Sequence, residues 1–350
     1  MKKYFAIFAL ATLTLVACDK VKETFDDSND VTTIHAVAAD NKTKTTVSGL
    51  FVYWSAGDHV AVADEDGTMV NFELTTGAGN MNATFQGELN GKALGDYAVY
   101  PYSATPVAGH SVTTDYPTTW TYGTTIVPMW GKNNGDYEFH NVGGAVKVSY
   151  SNVPSTTNAK YFVLTGNKNI TGPVTVSNLD STPSVDASAM TGNTVTVTGI
   201  PNDATSVSVV VPVPAGTGYN FTAQLKEETT NTLVPGSEKT ATGKAITTNR
   251  IAQFPDVDLT PVITASPLSF SIKNNQASSG HIITYNISNV ATSAKVTATT
   301  SNATITIDST TDLSSGDGTV SFTVAKKYTA GTITLSYPGA DPVVINVIPS

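Results

Sequence analysis

The chain has 350 residues, 13% of them charged and 40% hydrophobic. Its 19 lysines and arginines face 28 acidic residues, a net charge of −9, which makes nucleic acid and anionic lipid headgroups poor partners. With one cysteine in the whole chain, disulfides and thiolate metal clusters are excluded, so stability has to come from a buried core.

The first residues, Met1-Lys2-Lys3, are followed by an apolar run from Tyr4 to Ala17 interrupted only by two threonines. A run of about 14 residues falls short of the roughly 20 that span a hydrocarbon core. The pattern is that of a secretion signal over residues 1–17. The sequence Leu15-Val16-Ala17-Cys18 resembles the lipobox of bacterial lipoproteins. That resemblance implies cleavage between Ala17 and Cys18, acylation of the Cys18 thiol, and anchorage in a membrane. At about 0.8 kcal/mol per buried methylene, one acyl chain binds marginally and several bind durably. Residues 18–30 are polar and acidic and read as a tether. Acidic residues directly after the cysteine also resemble the surface-export tag of Bacteroidota lipoproteins; a merely solvated linker has the same composition.

Beyond the tether, Thr, Val, Gly and Ser abound and no stretch keeps apolar residues at helical spacing over a dozen residues. This composition predicts an all-β fold punctuated by turns, in two or three domains. From residue 31 to 134 short alternating runs are separated by turns. Val60 and Val62 alternate with Ala61 and Ala63, Asp64-Glu65-Asp66-Gly67 intervenes, and Val70, Phe72 and Leu74 follow on alternate positions. The expectation is a hairpin with Asp66-Gly67 at positive φ. An acidic loop tip is the plain reading of those carboxylates; the other is a calcium site, although no distal bidentate Glu follows. From 135 to 258 the same grammar predicts a second β-sandwich, with Val146, Val148 and Tyr150 on one face and a long run over Val207–Val213. Phe254 to Pro261 reads as an interdomain connector. Seven runs then recur over 259–350, which predicts an immunoglobulin-like sandwich.

The chain is poor in catalytic patterns. His35, His59, His110, His140 and His281 stand singly with no His-Glu-x-x-His spacing, so no metal site is expected. There is no nucleophile elbow and no phosphate loop. Two carboxylates about 5 to 9.5 Å apart, contributed by distant strands, are the one hydrolytic arrangement a sequence leaves open. No catalytic residue, metal or cofactor is assigned. One aromatic cluster, Tyr97, Tyr100, Tyr102, Tyr116, Trp120, Tyr122, Trp130 and Tyr137, admits two readings: a platform for stacking on glycans, or core packing.

The N-terminal third carries Thr43-Lys44-Thr45, then Trp54-Ser55-Ala56-Gly57-Asp58-His59-Val60-Ala61-Val62, Phe85-Gln86-Gly87 and Tyr97-Ala98-Val99-Tyr100-Pro101. This series resembles the fimbrillin family, the pilins and pilus-associated lipoproteins of Bacteroidota. Tyr137-Glu138-Phe139-His140-Asn141 and Val209-Val210-Val211-Pro212 are similar to the second fimbrillin sandwich. The resemblance implies two tandem transthyretin-like β-sandwiches and a pilus subunit or adhesin at the outer membrane. It also implies a first strand that proteolysis removes and another subunit's strand replaces. Val31 to Ala38, with Val31, Ile34 and Val37 among its apolar residues, is the candidate exchangeable strand; a permanently retained strand is the alternative. Family cleavage commonly follows arginine, whereas Arg250 is the only arginine here, so Lys42 and Lys44 become the processing candidates. Ile263 to Ser271 resembles the start of BACON-type modules. The partners implied are the outer membrane through the lipid, other pilus subunits through strand donation, and a host protein or glycan as ligand. The alternative function is a glycan-binding surface lipoprotein associated with polysaccharide uptake. Val343 to Ile348 either closes its own sandwich or acts as a donor strand.

Overall fold

The computed structural model describes residues 31–38, 53–155, 158–289, 294–310 and 317–350. Every regular element among them is a strand, as the composition predicts. β-Branched and aromatic residues at alternate positions give each strand one face to bury, and burying a Val, Leu, Ile or Phe contributes roughly 1.5–3 kcal/mol.

The N-terminal region contributes β1 (Val31–Ala38), β2 (His59–Asp64), β3 (Met69–Thr76), β4 (Asn82–Glu88), β5 (Leu94–Tyr100), β6 (Val112–Tyr116), β7 (Thr119–Thr121), β8 (Met129–Asn133) and β9 (Tyr137–Asn141). Seven of them close into a barrel in the order β1-β4-β3-β2-β5-β8-β9, with β1 completing the ring by pairing in parallel with β9. The barrel thus includes residues beyond 134, and Tyr137 and Phe139 of β9 are buried in its core. The expected hairpin is β2–β3, with Val60 opposite Phe72 and Val62 opposite Val70. Gly67 alone takes the positive φ, +81°. Asp66 does not share it; the turn is held by Asp64, whose carboxylate accepts the backbone N–H groups of Asp66 and Thr68 at 2.9 Å each.

The second region contributes β10 (Gly144–Ser151), β11 (Lys160–Gly166), β12 (Gly172–Ser177), β13 (Ser184–Asp186), β14 (Thr194–Ile200), β15 (Ser206–Val213), β16 (Gly216–Glu227), β17 (Lys239–Ile246), β18 (Ile251–Gln253) and β19 (Val257–Asp258). A sheet of β15, β10, β18 and β19 faces a sheet ordered β17-β16-β11-β14-β7. Val146, Val148, Tyr150, Phe162, Leu164, Val197, Val209, Phe221 and Leu225 fill the space between them. The stretch expected to be a connector is part of this sandwich: Phe254, Val257 and Leu259 are buried in its core, and β18 and β19 pair in parallel with β10.

Two strands of the N-terminal region leave the barrel. β6 pairs with β12, which pairs with β13, and β7 adds in parallel to β14. The β6–β12–β13 sheet lies against the outside of the barrel. Ala61, Ala63, Met69, Tyr97, Val99 and Trp130 meet Val112, Tyr116, Val174, Val176, Leu179 and Met190 in a second apolar layer. This explains β2, where five consecutive residues are buried: Val60 and Val62 face the barrel interior, while Ala61 and Ala63 face the layer outside. Strands covered on both faces lose polar alternation.

The last region contributes β20 (Val262–Ser266), β21 (Ser269–Ile272), β22 (Ser278–Ser288), β23 (Thr297–Thr300), β24 (Ile305–Thr310), β25 (Asp317–Val324), β26 (Gly331–Ser336) and β27 (Val343–Pro349). Two four-stranded sheets, β20-β22-β25-β24 and β21-β27-β26-β23, pack around Ile283, Tyr285, Val320, Phe322, Ile333, Leu335, Ile345 and Val347. This is the expected sandwich. Val343 to Ile348 closes its own sheet between β26 and β21.

Candidate functional site: the groove of the first strand

β1 occupies a groove whose two walls are remote in sequence. On one side it runs antiparallel to β4, from Val31 opposite Glu88 to Val37 opposite Asn82. On the other it runs parallel to β9, with Ala36 opposite Tyr137 and Ala38 opposite Phe139. Alternation along a strand sends every second side chain inward. The inward set is Ile34, Ala36 and Ala38, all buried, whereas Val31 is 53% exposed and Val37 is half-buried on the outer side. Of the three apolar residues singled out in sequence, Ile34 alone enters the core. Ala36 and Ala38 were missed, although the two-residue period from Ile34 points to both.

The floor of the groove explains the most specific motif in the sequence. Trp54 is 1% exposed and meets Phe85, Tyr100 and Phe139 edge to face, with ring centroids 5.0, 5.4 and 5.3 Å away. Such pairs add roughly 0.5–1.5 kcal/mol beyond burial. Its indole N–H donates to the Met81 carbonyl at 3.0 Å, which satisfies the one polar atom of the ring. Four residues on, Asp58 accepts the Ser55 backbone N–H at 2.6 Å and the Tyr100 hydroxyl at 2.9 Å. Burial raises the Asp58 carboxyl pKa, with the Ser55 and Tyr100 hydrogen bonds acting against that rise. The Trp-to-Asp spacing therefore encodes a core plug and the clasp of the turn that positions it. Gly87 of the Phe85-Gln86-Gly87 motif lies where a Cβ would come within 2.6 Å of the Asn71 carbonyl and the Phe72 ring, so only glycine lets β3 and β4 approach.

At the acidic turn, Lys92 pairs with Asp64 at 2.7 Å and with Asp66 at 3.1 Å. Burial pushes the Asp64 carboxyl pKa up, but the hydrogen bonds from Lys92, Thr68 and Asp66 outweigh it and hold the carboxyl below its ordinary range. With their charge met by a lysine, these carboxylates are a structural clasp. Among the described residues no group of three or more His, Cys, Asp or Glu is placed to hold a metal ion. Each histidine meets a local partner: His35 with Thr84, His59 with Asn71, His110 with Asp180, His140 stacked on Trp130, and His281 with Ser278.

The aromatic cluster resolves into packing. Tyr97, Tyr100, Tyr116, Trp120, Trp130 and Tyr137 are all buried, Tyr122 packs at the rim of the second core, and Tyr102 is exposed. These rings do not form one external face for a sugar. Lys160 is a further buried group that sequence reasoning missed. Its ammonium donates to the carbonyls of Pro201 at 3.5 Å and Asn202 at 2.7 Å, and desolvation lowers its pKa. Ala17, Cys18, Lys42 and Lys44 lie outside the described residues.

No family model and no curated protein matches this chain. Among solved structures, a candidate cell adhesion protein of Bacteroides ovatus is 10% identical, with a TM-score of 0.35, over 65% of this chain and 91% of that one. Invasin, a bacterial integrin-binding protein, is 15% identical, with a TM-score of 0.19, over 69% of this chain and 39% of its own. The Escherichia coli adhesin FdeC is 11% identical, with a TM-score of 0.20, over 90% and 96% of the two chains. At such identities and scores they assign the chain to no family.

Proposed function

We propose that this protein is a non-enzymatic cell-surface lipoprotein of the fimbrillin type, anchored through Cys18, acting as an adhesin or as a tip, accessory or anchor subunit of a pilus. The observation that carries the reading is the seat of β1. Its neighbours, β4 and β9, are both distant in sequence, so removing this one strand breaks the ring, freeing β4 opposite Val31–Val37 and β9 opposite Ala36–Ala38. Two unpaired edges would then flank an apolar slot lined by Phe85 and Phe139. A strand from another subunit satisfies such a slot through backbone hydrogen bonds and alternate side chains. With Ala36 at 0% and Ala38 at 5% exposure, the donor needs a larger apolar residue at the Ile34 position and small ones at the next two inward positions.

Processing at Lys42 or Lys44 would cut between β1 and the rest of the barrel. Arg250 is a poor substitute, because its carbonyl accepts the Ala145 N–H at 2.9 Å inside the second sandwich. An uncut subunit keeps its lipid and serves as an anchor or a stand-alone adhesin, with a host protein or glycan as ligand and no cofactor. The test is to express the precursor in a host competent for surface export, sequence the amino terminus of the surface form, and image the cells. A terminus within residues 43–45 together with filaments supports strand exchange. A terminus at acylated Cys18 without filaments overturns it. A Cys18→Ala chain that remains in the outer membrane overturns the lipid anchor.

A further inference from the structure

The three modules differ in architecture, yet each is shut by the same device: a strand near the start of the module lies beside, and parallel to, the last one. In the barrel β1 pairs in parallel with β9; in the second sandwich β10 pairs in parallel with β18 and β19; in the third, β21 pairs in parallel with β27. Apart from β7 on β14, every parallel pairing among the described strands is of this kind.

The direction of these pairs decides how they respond to tension. In a parallel pair the amino end of the first strand and the carboxyl end of the last lie at opposite ends of the ladder. Pulling the chain through the module makes the strands slide, so the evenly spaced bonds stretch together. In an antiparallel pair both points would lie at one end, and the bonds would break in turn.

The second and third modules show how the pairs are reinforced. Along β10 the bonds run from the Asn249 N–H to Gly143 O (3.1 Å) and the Ala145 N–H to Arg250 O (2.9 Å) to the Phe254 N–H to Lys147 O (2.9 Å) and the Leu259 N–H to Ser151 O (3.0 Å). Val146, Val148 and Tyr150 on one strand, and Phe254, Val257 and Leu259 beyond it, are all buried, so sliding must drag both rows through the core. In the third module the Asn346 N–H donates to Leu268 O and the Ser350 N–H to Ile272 O, both at 3.0 Å. The buried Tyr328 hydroxyl then reaches Ile272 O at 2.8 Å on one strand and Ile348 O at 2.7 Å on the other. It shares its proton between the two strands that tension would separate.

We infer that the protein is a tension-bearing element, its modules held shut by parallel strand pairs loaded in shear when the chain is pulled between an amino-side tether and a carboxyl-side attachment. The inference deepens the surface-protein reading and is separable from it: loss of the lipid anchor leaves the mechanical response intact, and a weak molecule leaves localisation intact.

Single-molecule force spectroscopy tests it on the full chain. Handles at the two termini load the β21–β27 pair in shear. In a Cys18→Ser chain, handles on Leu268→Cys and Asp341→Cys load the same pair from one end and peel it. Forced unfolding reads the unfolding barrier rather than equilibrium stability. The expected result is a force for the third sandwich several-fold higher in the terminal geometry than in the peeling one. Tyr328→Phe should lower the first force and leave the second nearly unchanged. Equal forces in the two geometries would overturn the inference, and that comparison leaves Tyr328 and the core untouched, so it stands even if the Tyr328 variant folds poorly.

Discussion

The N-terminal region lends β6 to the β12–β13 sheet and β7 to the second sandwich, and its barrel shares an apolar layer with that sheet, whereas the second and third sandwiches meet through a short polar knot. In that knot Asp258 accepts the Asn152 side chain at 3.0 Å and the Thr260 hydroxyl at 2.6 Å, and the Asn289 amide donates to Thr260 O at 2.9 Å. The two boundaries look alike in sequence, as turn-rich gaps between alternating runs. The first couples its modules through burial and ladder bonds, the second through groups that also bond well to water. The barrel and the second sandwich are therefore expected to unfold as one cooperative unit, and the third sandwich separately.

The largest test of that difference is Trp54→Ala. Emptying the barrel floor should cost about 3–5 kcal/mol and, if the coupling holds, shift the transition of the second sandwich as well. Denaturant unfolding followed by hydrogen exchange resolves the modules; an unfolded barrel beside an unshifted second sandwich would break the comparison. Next is Leu179→Ala, in the shared layer and 3% exposed. It should cost about 2–5 kcal/mol, split the joint transition, and leave the third sandwich at its own midpoint. Tyr100→Phe removes the hydroxyl that clasps Asp58 and is expected to cost about 1.5–3 kcal/mol, the range for hydrogen bonds to charged groups, again in the joint transition.

The smallest effect belongs to the polar knot and depends on pH. Hydrogen bonds from the Thr260 hydroxyl, the Asn152 side chain and the Thr260 N–H lower the Asp258 pKa to about 2. A carboxylate with a folded pKa below its unfolded value, near 3.9, stabilises the fold above that value and loses the contribution as pH falls through the folded one. Between about pH 4 and pH 2 the second junction should loosen, read as a fall in the protection factor of the Thr260 amide, its exchange rate divided into the intrinsic rate at the same pH. Asp258→Asn should abolish that pH dependence. Persistence of the same acid response in the variant would assign it elsewhere.

Much of the fold was legible because period-two alternation survives wherever a strand has one dry face. β3, the Val146, Val148 and Tyr150 row and the strands of the third sandwich all show it. It fails where both faces are dry. In β2, Val60 to Ala63 are apolar without a break, and the layer on the outer face, which holds Val174 and Val176, comes from about a hundred residues further along the chain. β6 and β7 are short, and the two are rich in threonine, so their partners could not be read locally. Val257 and Leu259 looked like linker because prolines bracket them, although their spacing already placed two apolar side chains on one face. In the candidate site, the strand was found and its inward residues only partly, since Ile34 and Val37 differ by an odd number of positions. Trp54 and Asp58 were visible as a motif, but the contacts that explain them come from Met81 and Tyr100.

The loan of β6 and β7 also bears on the order in which the chain is made. A ribosome delivers the barrel first, and Ala61, Met69, Tyr97 and Trp130 then await a cover that β12 brings only some forty residues after β8. Until then the nascent molecule displays a greasy flank and two strands without their mates. A truncation ending at residue 141, which keeps every barrel strand, should therefore be a sticky, unfinished object rather than a small independent domain.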